Sequence, residues 1–145
     1  MDLSLEISDT MHFLFLSSLD ASQYHPDNTP EDFTVTLPKP YDLRGEWECA
    51  LLEITVPTSQ DRVRYVCSDL IEDSYVRDTS FPVFRTLPPG KKGHFRYHRP
   101  YFLPVRAREL TQIRMFIRGG DLQPESSDLN PIHCVLLLRQ KRWAP

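Results

Sequence analysis

Short apolar and polar runs alternate along the chain, and their period predicts a series of β-strands. Residues 33–37, FTVTL, alternate three large apolar side chains with two threonines, a period of two that is typical of a half-buried strand. Pro38 and Pro40 follow directly, and neither offers the N–H group that a strand ladder needs. The pattern therefore predicts a strand that begins near Phe33 and ends at these prolines.

A second strand is predicted after a turn at Gly45. Large and polar side chains alternate from Trp47 onward, and residues 51–56 then become almost continuously apolar. A strand that is apolar on both faces is expected inside a sheet, with cover above and below. We therefore predict that residues 33–57 form a hairpin whose second strand lies at the centre of a β-sandwich core.

Strand patterns continue along the rest of the chain. The first strand begins at Met11 and the last occupies residues 132–142; both are apolar on both faces, which predicts interior positions for both. Polar loops rich in turn-forming residues are predicted at residues 20–32, with a turn at 25–28, and at residues 121–131. The remaining extended segments are predicted at residues 63–67, 74–77, 82–87, 91–100, 101–105 and 107–120.

Two of these segments allow a second interpretation. Residues 68–82 fit either a single helical turn capped by Ser68 or Asp69, or a strand at 74–77. Residues 107–111 fit a helical turn ahead of the strand that follows. Periodicity alone does not separate these alternatives.

Together these elements predict an all-β fold. Strands and helices do not alternate, which argues against a parallel α/β sheet, and thirteen prolines against five glycines favour short strands joined by stiff loops. With both terminal strands inside, we expect an antiparallel β-sandwich with long loops and little helix, wound as a Greek key and more specifically as a single jelly roll. The 145 residues suit one domain, with residues 1–9 and 143–145 as flexible tails.

Composition argues against several classes of protein. No apolar run approaches the roughly 20 residues that a membrane-spanning helix needs, and the first residues form neither a secretory nor a mitochondrial leader. We therefore expect synthesis in the cytosol and no membrane span. Cys49, Cys67 and Cys134 lie in apolar strand segments without zinc-type spacing, which predicts buried, reduced thiols.

Charge is divided unevenly along the chain. Residues 1–82 contain 16 acidic and 5 basic side chains, a balance of −11, whereas residues 83–145 contain 4 acidic and 12 basic ones, a balance of +8. The division fits a dipolar particle whose acidic side meets the basic side of a neighbouring copy, or a basic patch that faces nucleic acid. Interleaving of the two halves in a folded sandwich is the alternative, and it would remove the dipole.

The sequence carries no signature of catalysis. The chain has no nucleophile elbow, no glycine-rich phosphate loop and no zinc-protease motif. His94 and His98 are too far apart on a strand to share a metal unaided, and Glu46 with Glu48 fits a solvated strand edge better than a carboxylate pair for glycoside hydrolysis. We expect no enzyme activity, no cofactor and no metal.

Basic and aromatic side chains are interleaved at residues 91–102 and again near the C-terminus. Arginine and tyrosine are enriched in protein–protein interfaces, and the same mixture can bind single-stranded nucleic acid by stacking and phosphate contacts. We favour a protein interface and keep nucleic-acid binding as the alternative. The candidate interface residues are Arg96, Tyr97, Arg99, Tyr101, Arg139, Arg142 and Trp143.

The central segment resembles a known signature. Virion proteins of Polintons, adintoviruses and adomaviruses carry the pattern F-x-x-x-L-P-x-P-x-x-L-x-G-x-W-E-x-x-L-x-E-I-x-x-P, and residues 33–57 match it. Weaker similarity extends the resemblance over residues 11–142, with the departure that Arg77 stands where the family prefers glycine. The matching residues that we assign to the core signature are Phe33, Leu37, Gly45, Trp47, Leu51 and Ile54.

The resemblance implies a structural virion protein of a double-stranded DNA virus of animals, of the penton or minor capsid type with a single jelly roll. The implied partners are further copies of the chain, with a pentamer as one arrangement, and the major capsid protein of the same virus. Genome DNA is a further partner if the basic half faces it. The implied location is the virion, after synthesis in the host cytosol. A nucleic-acid-binding module, a glycan- or receptor-binding β-sandwich and a hydrolase stay open as alternatives.

Overall fold

The computed structural model describes residues 11–21, 28–123 and 131–141. Within these ranges the chain forms eleven strands and a single helical turn. They are β1 (Met11–Ser17), α1 (Ser18–Ala21), β2 (Asp32–Asp42), β3 (Trp47–Val56), β4 (Arg64–Ser68), β5 (Ser74–Val76), β6 (Thr79–Phe81), β7 (Val83–Leu87), β8 (Gly93–Arg96), β9 (Leu103–Pro104), β10 (Glu109–Arg118) and β11 (His133–Gln140).

Some predicted features fall outside these ranges. The two tails, all but the last residue of the turn at 25–28 and most of the loop at 121–131 lie outside the described residues. The same holds for Arg142 and Trp143, two of the candidate interface residues.

Two antiparallel sheets pack face to face. Sheet I has the order β1-β11-β3-β8, with β9 pairing β3 beyond the end of β8, and sheet II has the order β2-β10-β4-β7. Strands β5 and β6 form a separate hairpin. The predicted antiparallel β-sandwich with little helix is confirmed.

Side chains from both sheets meet in one hydrophobic cluster. Leu51 and Ile54 of β3 enter it from sheet I, and Phe33 of β2 enters it from sheet II; all three are buried. Burial of a side chain of this size contributes about 1.5–3 kcal/mol to stability. Leu37 and Trp47 are half-buried and pack against the same cluster. The signature segment therefore supplies core residues to both sheets.

Strands from the two halves of the chain alternate in both sheets. Every pairing along the two sheet orders joins a strand from residues 1–82 to a strand from residues 83–145. All ion pairs between described residues, except the one between Asp42 and Arg44, cross between the halves in the same way. The acidic and the basic half of the chain are therefore interleaved in both sheets, as the alternative interpretation of the uneven charge expects.

The hairpin predicted for residues 33–57 is wrong. β2 lies in sheet II beside β10, whereas β3 lies in sheet I between β11 and the pair β8 and β9. The chain passes from one sheet to the other between Asp42 and Trp47, where Gly45 has a φ of 84° that side chains with a Cβ disfavour. The turn at Gly45 thus connects two layers instead of two neighbouring strands.

Strand β2 continues through the prolines that we expected to end it. A shift in register interrupts its ladder with β10 and leaves residues 37–40 without a partner on that strand. Pro38 and Pro40 lie in this unpaired stretch of an edge strand, where a missing N–H removes no ladder hydrogen bond.

The interior position predicted for β1 is also wrong, whereas the one predicted for β11 is confirmed. β1 forms an edge of sheet I and pairs with β11 alone. Leu14 and Leu16 face the core, but Phe13 and Phe15 on the second apolar face are exposed. Two strands with the same pattern, apolar on both faces, therefore occupy different positions: β1 lies at an edge of sheet I and β11 lies inside it.

The continuous apolar run of β3 arises from a β-bulge. Leu51 pairs with Leu136 and Glu53 pairs with Val135, so Leu52 is an extra residue without a partner on β11. The bulge shifts the phase of the strand, which lets residues on both sides of it face the core. β3 is interior in its sheet as predicted, but its pattern does not require a second layer on the outer face.

The structure decides the two alternatives that periodicity left open. Residues 74–76 form the strand β5, and the Ser68 hydroxyl accepts a hydrogen bond from the N–H of Leu70 without starting a helix. Residues 107–111 lead into β10, which begins at Glu109, and contain no helical turn. The helical turn α1 after β1 was not predicted.

Arg77 occupies the turn between β5 and β6 with a φ of 58°. A residue with a Cβ is strained in this left-handed region, and glycine is not. The guanidinium group of Arg77 donates a hydrogen bond to the carbonyl of Gly120, which ties the hairpin to the segment after β10. The position is the one at which the resembling family prefers glycine.

We expect Arg77→Gly to be more stable than Arg77→Ala by about 1 kcal/mol. Both variants lose the hydrogen bond to Gly120, so the comparison isolates the strain of the left-handed backbone. Urea unfolding of the two variants measures the difference in the free energy of unfolding. Equal stabilities would contradict the turn conformation described above.

Candidate assembly surface

The outward side chains of sheet I form four rows across its strands. The register of the strands fixes the rows, because side chains alternate between the two faces along each strand. The half of this face on β1 and β11 is mostly apolar, and the half on β3 and β8 is mostly polar. The rows are Ser17–His133–Thr55–His94, Phe15–Val135–Glu53–Arg96, Phe13–Leu137–Ala50 and Met11–Arg139–Glu48.

We name the apolar half of this surface the Phe13–Phe15 face, and it consists of Phe13, Phe15, Val135 and Leu137. The two phenylalanines are 54% and 76% exposed, whereas Leu137 between the strands is 8% exposed. β1 also has no strand partner on its free side among the described residues. Large exposed apolar side chains beside a free strand edge are typical of interaction surfaces.

The outer face of sheet II is covered by the chain itself around Phe116. The ring of Phe81 meets the ring of Phe116 edge-on, with 6.0 Å between the centroids. The guanidinium carbons of Arg114 and Arg118 lie 4.4 and 4.6 Å from the centre of the Phe116 ring. Two hydrogen bonds of 2.8 and 2.7 Å to the Asp32 carboxylate hold Arg114 in place and raise its pKa. Phe116 is buried as a result, while Phe13 and Phe15 on the outer face of sheet I have no such cover within the described ranges.

A held arginine borders one end of the Phe13–Phe15 face. Nε of Arg139 donates a hydrogen bond of 2.8 Å to Oε1 of Glu48, and its guanidinium carbon lies 3.4 Å from the centre of the Phe102 ring. A side chain fixed in this way loses little rotamer freedom when a partner binds. Arg139 is therefore preorganised for contact at the rim.

A cluster around Glu53 borders the side of the Phe13–Phe15 face that adjoins β3 and β8. Its carboxylate accepts hydrogen bonds from Nε2 of His94 at 2.8 Å and from Nε of Arg96 at 3.3 Å, and the Thr55 hydroxyl lies 3.0 Å from Nδ1 of His94. The bond from His94 is the main reason why the pKa of Glu53 lies below its ordinary value. A cavity of about 310 Å³ separates this cluster from Phe15. The cluster holds four polar side chains together beside the apolar half of the sheet.

The predicted interface residues do not form one surface. Arg96 and Arg139 lie on the outer face of sheet I, at different borders of the Phe13–Phe15 face. Both arginines donate hydrogen bonds to carboxylates of their own chain. Arg142 and Trp143 lie outside the described residues.

Tyr97, Arg99 and Tyr101 lie between β8 and β9, away from the Phe13–Phe15 face. The Tyr97 hydroxyl donates a 3.3 Å hydrogen bond to the carbonyl of Thr86, and burial raises the pKa of that tyrosine. The side chain of Arg99 is exposed, and Tyr101 is 59% exposed. These residues contribute to a second surface at the edge of the sandwich.

Sequence reasoning missed Phe13 and Phe15. The signal was present, because the two residues form the second apolar row of β1. We interpreted that row as the mark of an interior strand, and only the position of β1 at the edge of sheet I exposes it.

Within the described ranges, no three His, Cys, Asp or Glu side chains are placed to hold a metal. In the same ranges no helix has the length and apolar character needed to cross a bilayer. Cys49, Cys67 and Cys134 are buried free thiols, as predicted. Burial raises the pKa of Cys67 and of Cys134 to about 12, so both stay protonated near neutral pH.

Comparison with protein-family models and with curated proteins found no match. Among solved structures, the chain is similar to the Drosophila NLP core, which is described in terms of pentamer formation and histone binding. That similarity has 9% identity and a TM-score of 0.35, and it covers 90% of this chain and 99% of that chain. A TM-score this low supports no inference about fold, assembly or partner.

The Glu53 cluster makes a prediction about pH. Because its pKa is lowered, the Glu53 carboxylate keeps its charge as the pH falls through the ordinary range of a glutamate, and loses it only at the lower value. We expect His94→Ala to raise this pKa more than Arg96→Ala does, since the bond from His94 is the larger cause. A carbon-detected NMR titration of the Glu53 carboxyl measures both changes, and an unaltered pKa in His94→Ala would rule out the hydrogen bond.

Proposed function

We propose that this chain is a structural virion protein, of the penton or minor capsid type, that self-associates and contacts the major capsid protein of a double-stranded DNA virus. The observation that carries the proposal is the Phe13–Phe15 face, an exposed apolar surface on a rigid sheet. The resemblance of residues 33–57 to virion proteins supplies the class of assembly. The proposed location is the virion, after synthesis in the host cytosol.

The strand order supports a single jelly roll. Numbered in chain order, the eight strands of the two main paths follow 1-8-3-6 in sheet I and 2-7-4-5 in sheet II. Two Greek keys wound together produce this order, and capsid domains are among the proteins built in this way. Lectin domains share the fold, so the strand order alone does not separate a shell protein from a glycan-binding one.

The composition of the outer face of sheet I supports protein contact. Apolar side chains lie at its β1 side, and the held charges of Arg139 and the Glu53 cluster lie next to this apolar half. An apolar centre with a polar, ordered rim is the usual anatomy of a protein interface. We propose that this surface binds further copies of the chain, with a pentamer as one arrangement. The major capsid protein is the second partner that we propose for the same surface.

The size of the face limits how it can be used. With strands about 4.8 Å apart and rows about 6.8 Å apart, all the outward positions in the four rows of sheet I together cover roughly 450 Å². A stable interface buries about 800 Å² on each partner. A partner must therefore reach beyond the sheet, onto its borders or the free edge of β1.

The head-to-tail ring suggested by the uneven charge is less favoured than apolar contact. Arg96 is paired with Glu53 of its own chain, and strands of the acidic and the basic half alternate in both sheets. We propose apolar contact, with charge acting on register at the rim.

Nucleic-acid binding through the basic half remains a second candidate. Lys91, Lys92 and Arg99 are exposed and form no ion pair with a described residue. If they bind phosphates, a single-stranded DNA shift should weaken steeply as salt is raised.

The double variant Phe13→Glu and Phe15→Glu tests the proposed assembly. Both side chains point away from the core, so we expect the fold to persist while charge repulsion abolishes oligomers that the unaltered chain forms. Sedimentation velocity over a range of concentrations measures the size distribution. Tyr75→Glu is the matched control, because Tyr75 is 81% exposed and lies outside the Phe13–Phe15 face.

Two results would refute this proposal. A monomeric unaltered chain at the highest concentration would remove self-association, and oligomers that survive the double variant would place the interface elsewhere. Mass spectrometry of purified particles tests the virion assignment separately.

A further inference from the structure

A groove lies at the edge of the sandwich, between the β5–β6 hairpin, the edge strand β7 and the segment that joins β8 to β9. Its volume is about 410 Å³. Four tyrosines line it, namely Tyr65, Tyr75, Tyr97 and Tyr101, and Arg85 is the one charged residue among the described lining residues. The groove shares no residue with the Phe13–Phe15 face.

Arg85 is held between two aromatic rings. Its guanidinium carbon lies 4.1 Å from the centre of the Tyr97 ring and 3.8 Å from that of Tyr101. Nη1 donates a 2.9 Å hydrogen bond to the carbonyl of Arg99. Cation–π contact on two rings and a fixed backbone acceptor together orient the guanidinium plane.

The remaining donors of Arg85 have no partner among the described residues. No described residue accepts a hydrogen bond from Nε or Nη2, and no carboxylate of those residues forms an ion pair with Arg85. These two groups form the parallel pair that a carboxylate accepts in bidentate geometry. The groove therefore presents an oriented, uncompensated cation.

Charge on one side of the groove favours an acidic partner. Residues 83–106, which supply β7 and the segment between β8 and β9, contain six basic residues and no aspartate or glutamate, whereas the β5–β6 hairpin on the opposite side carries Asp73 and Asp78. Of the six basic residues, Arg96 and Arg106 are paired with Glu53 and Asp73, which leaves the others available to an external anion.

We propose that this groove binds an extended acidic peptide segment of a partner protein, with one carboxylate on Arg85 and the peptide chain across the tyrosines. A peptide fits better than a nucleic acid for two reasons. The lining offers one cation rather than a row of them, and Arg85 already occupies one ring face of both Tyr97 and Tyr101, where bases would otherwise stack. The inference does not depend on the proposed virion function.

Fluorescence anisotropy with the full chain tests the site. The probe is a fluorescein-labelled peptide of alternating glutamate and proline, which is extended before it binds, and the matched probe replaces each glutamate by glutamine. We expect the glutamate peptide to bind and the glutamine peptide to bind roughly ten-fold more weakly or not at all.

Arg85→Lys keeps the charge but removes the parallel donors, so we expect roughly a ten-fold loss of affinity for the glutamate peptide. Lys92→Ala removes a charge from the same basic segment outside the groove, and we expect less than about a two-fold change. If Arg85→Lys does not fold, Tyr101→Ala carries the test, because Tyr101 is 59% exposed and its removal leaves Arg85 without one of its two rings.

Three results would overturn the inference. The first is absence of binding by the glutamate peptide, and the second is an equal loss in Arg85→Lys and Lys92→Ala. The third is tighter binding of an oligothymidylate with a steep salt dependence that Arg85→Lys leaves unchanged, which would identify a nucleic-acid surface instead. The Phe13→Glu and Phe15→Glu variant should retain peptide binding, so failure of the assembly proposal and failure of this one are distinguishable.

Discussion

The structure depends on pairing between strands that lie far apart in the sequence. Each strand of the two main sheets has neighbours only from the opposite half of the chain, so neither half contains two neighbouring strands of a main sheet. The acidic half and the basic half meet along every ladder of the two main sheets, and Asp32–Arg114, Glu48–Arg139 and Glu53–Arg96 are cross-strand results of this arrangement. Exposed pairs of this kind contribute less than about 1 kcal/mol each, so their main effect is on which strands pair and in which register. The uneven charge of the sequence is therefore explained within one molecule.

The same constraint shapes the two outer faces. Sheet II receives the β5–β6 hairpin over Phe116, where Phe81, Arg114 and Arg118 complete a cover made by the chain itself. The outer face of sheet I has polar clusters around Glu48 and Glu53 but no cover over β1 in the described part of the chain. The hairpin covers the outer face of sheet II around Phe116, whereas Phe13 and Phe15 on sheet I stay exposed. The two outer faces of the sandwich thus differ in whether their large apolar side chains are covered.

The positions of the strands were largely predictable, because a period of two in the sequence reports local structure. Their neighbours were not, since the pairing of β1 with β11 joins residues more than a hundred positions apart, and the pattern carries no register over that distance. The bulge at Leu52 gives β3 the sequence pattern of a strand buried on both faces. The second apolar row of β1 gives that edge strand the sequence pattern of an interior strand. For the candidate site, composition identified Arg96 and Arg139 but not the glutamates that hold them, which lie on β3. The cation held between Tyr97 and Tyr101 was equally hidden, because Arg85 belongs to a different strand.

The fold itself does not require Phe13 and Phe15. The core-facing row of β1 is complete with Leu14 and Leu16, and alternation leaves the other row free to be polar. The edge strand β2 illustrates the usual solution, because Phe33 is buried there while threonines occupy the opposite face. Two exposed phenylalanines on an edge strand lower solubility and invite strand pairing, a disadvantage that natural edge strands usually avoid with charged residues or proline. We infer that their benefit lies outside the monomer, in a surface that becomes buried when the chain meets its partner.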